Sequence, residues 1–184
     1  MANTEIPLLV IDEKDMPADV DRQIRELLCA AFSPDAPVFV TTRHWHGSAP
    51  EYTVMHRAND GAMDGGVAIV IRTIQAGTQR VRVAGVQNMA VHPSARGTGL
   101  GPALMQRAMS EARRRGVSFG LLFCLPALGR YYERLGWRLH DVDVRMDFQR
   151  ETNVPIPGKN ICMVTNLADA DFPPGAMHLQ GPDW

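Results

Sequence analysis

The feature that most constrains this chain is a glycine-rich turn, Arg96-Gly97-Thr98-Gly99-Leu100-Gly101, between an alternating apolar segment and a helical one. Glycines at these positions let the backbone turn tightly and leave its N–H groups unobstructed. The N-terminus of the following helix adds partial positive charge, so the turn is suited to an anion such as a phosphate. A glycine-rich helix entry without any ligand is the alternative interpretation at this point.

Two familiar phosphate-binding patterns do not fit the turn. A P-loop ends in Gly-Lys-Ser or Gly-Lys-Thr, whereas this chain has Gly101-Pro102-Ala103. A dinucleotide fingerprint needs a βαβ unit with an acidic ribose ligand, and none follows the turn. The turn is therefore either an anion site of a different kind or a glycine-rich helix entry without a ligand.

The apolar periodicity of the rest of the chain predicts a mixed α/β sandwich in one domain. Asp19 is expected to cap the first helix, Gly116 to close the second, and residues 33–49 to form a short helix or a loop. The predicted strands are 7–11, 51–58, 66–74, 80–91, 119–125, 141–148 and 160–167, and the predicted helices are 19–32, 98–115 and 127–135.

The composition and charge of the chain limit the classes of partner that we expect. The net charge is −1 in 184 residues, and no apolar run approaches the roughly 18 residues of a membrane span, so neither nucleic acid nor membrane is expected. Three cysteines without metal-like spacing (Cys29, Cys124 and Cys162) are expected to be reduced thiols in a cytoplasmic protein. The charge is unevenly divided, because residues 92–116 carry +4 and residues 141–184 carry −4.

The segment VQNMAVHPSARGTGLGPALMQRAMSEA resembles the acetyl-CoA motif of the GCN5-related N-acetyltransferases (GNAT), Arg/Gln-x-x-Gly-x-Gly/Ala, which Arg96, Gly99 and Gly101 fill. The later segment Tyr131–Trp137, YYERLGW, resembles the family's closing LYExLGF segment. The resemblance implies an α/β, single-domain GNAT-like fold: a mixed, mainly antiparallel twisted sheet flanked by helices, with a splayed central cleft. The resemblance is strong over residues 86–137, and it implies one acyltransferase domain at 1–184, with a coenzyme-binding core at about 80–137 and C-terminal strands and a tail at 138–184.

The resemblance also implies acetyl-CoA as co-substrate, with no metal. Met89 and Val91 are expected to hydrogen-bond the pantetheine arm, and the strand at 119–125 to diverge and open the cleft. The Met89 N–H would also suit the thioester oxygen. The side chain of Arg96 and the backbone N–H groups of the turn are expected to hold the pyrophosphate; those N–H groups belong to Gly97, Thr98, Gly99, Leu100 and Gly101.

The predicted reaction requires two proton transfers, one to the departing thiolate and one from the attacking amine. Tyr132 matches the family's tyrosine at the cleft and is expected to protonate the departing CoA thiolate, although Tyr131 and Tyr132 could be interchanged. An alkyl amine has a pKa of ~10.4, so its own proton must be removed before attack. Trp45 and Trp184 are expected to line an acceptor pocket, whereas Trp137 is expected to pack in the core.

A narrower resemblance bears on which group acts as the base that removes the proton of the amine. The chain is similar in layout to the aminoglycoside 2′-N-acetyltransferases and the nodulation N-acyltransferases, including the tail FPPGAMHLQGPDW. The aminoglycoside group has a glutamate that acts through water where this chain has Gln87, and Leu125 replaces a polar residue common in the family. We therefore predict a water relay that Gln87 orients and that ends at the Trp184 carboxylate. The other base candidates are Asp183, Glu51, Asp35, His44 and His46; the His-x-His pair lacks further metal ligands.

The predicted function is transfer of an acetyl group from acetyl-CoA to a primary amine of a small, cationic acceptor, by direct attack in a ternary complex. The acidic tail favours a cation. The alternatives are a protein or peptide N-acetyltransferase and a non-catalytic acyl-CoA-binding regulatory protein. The expected partner is a small-molecule amine, and the resemblance also allows a homodimer.

Overall fold

The computed structural model describes residues 6–184 and confirms the mixed α/β fold. One curled sheet is flanked by four α-helices. The strands are β1 (Leu9–Asp12), β2 (Tyr52–Arg57), β3 (Met63–Ala76), β4 (Gln79–Val91), β5 (Phe119–Cys124), β6 (Arg138–Leu139), β7 (Val144–Phe148), β8 (Glu151–Pro155), β9 (Ile161–Asn166) and β10 (Met177–His178). The helices are α1 (Ala18–Ala31), α2 (Ala36–Phe39), α3 (Leu100–Arg114) and α4 (Gly129–Glu133).

The centre of the sheet is the long antiparallel β3–β4 hairpin that the sequence predicts. β2 and then β1 extend the sheet from the first half of β3, whereas β10, β7 and β8 extend it from the end of β3. On the other side β4 pairs in parallel with β5, which continues antiparallel to β9 and then β6. The sheet is therefore mixed but mainly antiparallel, as expected.

Helix α3 packs on the sheet through an apolar stripe along one of its faces. Leu100, Leu104, Ala108 and Ala112 of α3 are buried on the sheet, and the Tyr52 hydroxyl donates to the Ala108 carbonyl at 2.7 Å. Burial of this stripe is what stabilises a helix of this length. None of the helices in residues 6–184 is both long enough and apolar enough to cross a bilayer.

The predicted cap of α1 is wrong. The helix begins at Ala18 with Pro17 as its N-cap residue, and Asp19 lies inside the first turn without capping it. Pro17 has φ −69° and ψ 145°, an extended conformation from which a helix can start at the next residue. Asp19 still lies near the positive end of the helix.

The C-terminal part holds more strands than its pattern predicts. Two strands are expected after residue 138, whereas the structure has five, β6 to β10. β6 and β10 have two residues each, too few to show a period, and β8 is a mostly exposed edge strand. The predicted helix at 127–135 is shorter than expected, because a 3-10 turn at Pro126–Leu128 precedes α4.

Candidate active site

The central feature of the candidate site is the separation of β4 from β5. These parallel strands pair only where Val83–Gly85 faces Phe119–Leu121. Beyond that point β4 continues against β3 to Val91, and β5 continues against β9 to Cys124. The two strands diverge there, and a cavity of about 280 Å³ lies at the opening. The splayed cleft is thus confirmed.

A β-bulge lies on the β4 side of this opening. Gly66 pairs with Ala90 and Ala68 with Gln87, so Asn88 and Met89 together face a single residue of β3. Asn88 has φ +52°, and its Nδ2 donates to the Arg43 carbonyl at 2.7 Å. Because a bulge leaves part of the ladder unpaired, it turns main-chain polar groups away from the neighbouring strand. Asn88 and Met89 both line the cavity.

The walls of the cavity are mostly aromatic and aliphatic. Among the side chains that line it, Asp35 is the one carboxylate and Lys159 the one cation, and both are exposed. The acidic residues of the tail do not line the cavity, so they are not what would draw a cation into it. The lining residues are Phe32, Asp35, Phe39, Trp45, Val86, Asn88, Met89, Leu122, Phe123, Cys124, Leu125, Leu128, Tyr132, Lys159, Asn160 and Trp184.

The two adjacent tyrosines lie in different places. Tyr132 is buried and lines the cavity, whereas the Tyr131 hydroxyl lies 2.7 Å from the point that a Cβ on Gly101 would occupy, at the start of α3. Their rings pack edge to face with centroids 5.0 Å apart. Burial raises the pKa of Tyr132 well above its ordinary value, so the phenol keeps its proton at neutral pH.

The turn predicted to bind pyrophosphate connects β4 to α3. Gly97 and Gly99 have φ of +80° and +86°, conformations that side chains disfavour, and the space beside both is open. The Thr98 hydroxyl donates to the Ala95 carbonyl at 2.7 Å and stabilises the turn. Because α3 begins at Leu100, the first N–H groups of the helix have no acceptor within the helix. The predicted positions from Arg96 to Gly101 thus lie together at the start of α3, and their binding of an anion stays a prediction.

Gln87 lies behind the cavity wall and does not line it. Its Nε2 donates to the Ser48 carbonyl at 3.0 Å, and its Oε1 accepts from Asn88 Nδ2 at 3.3 Å. The side chain is 1% exposed. In this structure Gln87 joins the bulge of β4 to the segment before β2, and its predicted role in orienting water stays a prediction.

Trp184 lines the cavity, and the expectation that this part of it holds the acceptor stays a prediction. Its ring is buried, lies 5.9 Å from the Phe123 ring and covers Gly85, where a Cβ would come within 2.1 Å of Cε2. The Arg72 guanidinium lies 5.2 Å from the centre of the same ring. The indole therefore fills the place where β4 and β5 separate. The relay to the Trp184 carboxylate stays a prediction.

The residues before Trp184 are fixed by polar contacts. Arg72 donates to the Pro182 carbonyl at 2.6 Å, and the Ser48 hydroxyl donates to the Asp183 carbonyl at 2.7 Å. The buried Asp183 carboxylate is hydrogen-bonded to Nδ1 of His46. The tail is thereby attached to the segment that contains Trp45 and lies against the acceptor side of the cleft.

The remaining base candidates are dispersed. Nε2 of His44 lies 3.0 Å from a carboxylate oxygen of Glu13, whereas His46 is hydrogen-bonded to Asp183. The two histidines therefore belong to separate networks. Glu51 lies 3.9 Å from Arg115 and does not line the cavity, whereas Asp35 does. Within residues 6–184 there is no group of three His, Cys, Asp or Glu side chains that could hold a metal ion.

Several lining residues are missing from the sequence analysis. Phe32, Phe39 and Phe123 line the cavity, as does Leu128. Phe32 and Phe39 flank the segment that the sequence leaves as a short helix or loop. No local pattern indicates which side chains of such a segment face the cleft, because that depends on how it packs across the sheet.

The splayed sheet, the bulge of β4 and the glycine-rich start of α3 together fit an acyl-CoA-dependent transferase. A family model described as an acetyltransferase (GNAT) domain matches residues 15–140, and the chain belongs to that family. The protein is therefore an acetyl-CoA-dependent N-acetyltransferase. The narrower resemblance to aminoglycoside and nodulation enzymes stays a prediction.

Solved structures share this fold. The GNAT family N-acetyltransferase YhbS from Escherichia coli, in complex with CoA, has 20% identity and a TM-score of 0.66 over 98% of this chain and 93% of its own. ElaA from Escherichia coli has 14% identity and a TM-score of 0.61 over 87% and 99%. An acyl-CoA N-acyltransferase from Pseudomonas aeruginosa has 19% identity and a TM-score of 0.59 over 86% and 98%. No curated protein sequence matches this chain significantly.

Proposed function

We propose that this protein acetylates the primary amine of a small, cationic acceptor by direct attack in a ternary complex with acetyl-CoA. The observation that carries the proposal is the cavity of about 280 Å³ where β4 and β5 diverge. Its volume is close to the lower end of typical small-molecule sites. Tyr132, Met89 and Trp184 line it together.

The coenzyme is proposed to enter along β4. The backbone N–H groups at 97–101 and the Arg96 side chain hold its pyrophosphate, because unpaired N–H groups and the helix dipole both favour an anion. Met89 and Val91 bind the pantetheine arm as an added strand would. The thioester carbonyl then lies at the bulge, where the Met89 N–H stabilises the developing oxyanion.

The chemistry is proposed as one nucleophilic substitution. The neutral amine attacks the thioester carbon, the C–S bond breaks, and the CoA thiolate takes the proton of the Tyr132 phenol. Solvent returns a proton to Tyr132, and the amine loses its own proton to water or a base. An acyl-enzyme on Cys124 is disfavoured, because burial raises the pKa of this cavity-lining thiol to about 11.

The cationic character of the acceptor is supported by the cavity itself. Aromatic faces attract a cation, and the exposed Asp35 carboxylate at the cavity does the same. An apolar wall also lowers the pKa of an amine by desolvation, which favours the neutral form that reacts. A dedicated buried carboxylate is therefore not required for the proposed reaction.

One observation favours a second candidate, acyl-CoA binding without turnover. Gln87 is a neutral amide where the aminoglycoside group that the chain resembles has a glutamate, and it does not line the cavity. A regulatory acyl-CoA-binding protein needs no base. A protein or peptide acceptor, in contrast, would require an extended open groove.

The test is a thiol-release assay with acetyl-CoA over a broad amine panel, combined with calorimetric measurement of acetyl-CoA binding. Release of CoA with a small amine, at a rate above hydrolysis, supports the proposal. Tight binding of acetyl-CoA with no release across the panel would favour the non-catalytic alternative. Release only with peptides would favour the peptide acceptor.

A further inference from the structure

The acceptor side of the cavity is built from a row of aromatic rings. The centroids of Phe32 and Phe39 are 5.9 Å apart, as are those of Phe39 and Trp45, with tilts of 41° and 33°. Phe39 is buried at the centre of the row, whereas Phe32 and Trp45 are half-buried. All three rings line the cavity. Half-buried rings beside a buried one leave apolar area for a ligand to cover.

This row is separate from the coenzyme path. Val86, Met89 and the residues of β5 that line the cavity belong to the two strands between which the coenzyme is proposed to lie. The three rings come instead from residues 32–45, between α1 and β2. They therefore form a wall of the cavity that is distinct from the two strands proposed to hold the pantetheine arm.

The charges around the cavity limit how many cations it can accept. Apart from the main-chain carboxylate predicted at Trp184, Asp35 is the one carboxylate among the lining residues, and Lys159 repels a second cation. The remaining lining groups are neutral or, like Tyr132, kept protonated by burial. An acceptor with several ammonium groups would leave charges unpaired against apolar walls, which is costly.

We infer that the acceptor is a monoamine that carries an aromatic ring, an arylalkylamine. Its ring packs against Phe32 and Trp45, and its amine points to the bulge at Asn88–Met89. Offset and edge-to-face ring pairs contribute beyond the area they bury, which gives an aryl group an advantage over an alkyl group of similar size. The inference rests on the proposed function and narrows its cationic acceptor to one charge.

The experiment compares 2-phenylethylamine, hexylamine and spermidine as acceptors with saturating acetyl-CoA. We expect kcat/KM for 2-phenylethylamine to exceed that for hexylamine by about 10-fold, and that for spermidine to be lower still. Trp45→Leu keeps an apolar side chain but removes the ring, and it should abolish the difference between the first two amines. Val40→Ala, at an exposed residue that does not line the cavity, is the control and should preserve it.

Binding of the same three amines to the CoA-bound protein, measured by calorimetry, separates this inference from the proposed function. If no amine is acetylated but 2-phenylethylamine binds about 10-fold more tightly than hexylamine, the acetyl transfer fails and the aryl site stands. Equal values for the two monoamines, or a preference for spermidine, would overturn the inference whether or not turnover occurs.

Discussion

Substituting Gly85 by alanine should force the Trp184 indole out of the place where β4 and β5 separate. A Cβ at this position would lie 2.1 Å from Cε2 and 2.5 Å from both Cζ2 and Nε1 of the ring. Such distances are far below van der Waals contact. Gly85 is paired with Val70 on one side and Leu121 on the other, so its backbone is held in the sheet and the ring must move.

The size of the effect follows from the burial of Trp184, which is 6% exposed. Burying a tryptophan removes roughly 200 Å² from water, worth about 5 kcal/mol at ~25 cal/mol/Å² as an upper bound. Residual compactness of the unfolded chain reduces this value to about 3–4 kcal/mol. The indole Nε1 has no hydrogen-bond partner among the described residues, and regaining water offsets about 1 kcal/mol. Gly85→Ala should therefore lower the free energy of unfolding by about 2–3 kcal/mol.

The assay is urea unfolding followed by circular dichroism, arranged as a double-mutant cycle. Trp184→Ala removes the ring, so Gly85→Ala added to it should change the free energy of unfolding by less than about 0.5 kcal/mol. Gly158→Ala is a matched control, because a Cβ there meets nothing within 4 Å. Equal costs of Gly85→Ala with and without the indole would refute the steric argument.

Three further results are expected. Tyr132→Phe should lower kcat about 100-fold in the thiol-release assay with acetyl-CoA affinity almost unchanged; an unchanged kcat contradicts the acid role. Hydrogen bonds from Arg114 and Arg115 lower the pKa of Glu111 from 4.5 to about 2, so its contribution to stability is present above 4.5 and is lost as the pH falls toward 2. Glu111→Gln should thus lower the free energy of unfolding by about 2 kcal/mol at pH 7 in urea titrations and by less at pH 3, whereas a pH-independent difference would contradict this origin. Gly99→Ala, at φ +86°, should raise the KM for acetyl-CoA about fivefold, and an unaltered KM would show that the turn tolerates a side chain.

Local sequence patterns predicted a helix or strand correctly where the element buries many of its side chains in the core. The apolar stripe of α3 and the apolar segments of β3 and β4 predicted their elements, because α3 buries one face and the two strands bury side chains on both faces of the sheet. The same reasoning missed β8, an exposed edge strand, and the two-residue β6 and β10. Those strands depend on hydrogen bonds with neighbouring strands that are distant or irregular in sequence, and such pairing leaves no apolar period in the strands themselves.

The candidate site likewise contains one part that the sequence predicts and another that only the tertiary structure shows. By itself the sequence determined the glycine-rich turn at 96–101 and its place at the start of a helix, because glycine conformation and helix polarity are local properties. Tertiary structure alone decided that Phe32, Phe39 and Trp45 meet Trp184 around the opening between β4 and β5. These residues are far apart in the chain and come together only through packing across the sheet. The proposed coenzyme-binding turn thus follows from a local sequence pattern, whereas the proposed acceptor site depends on contacts between segments that are distant in the sequence.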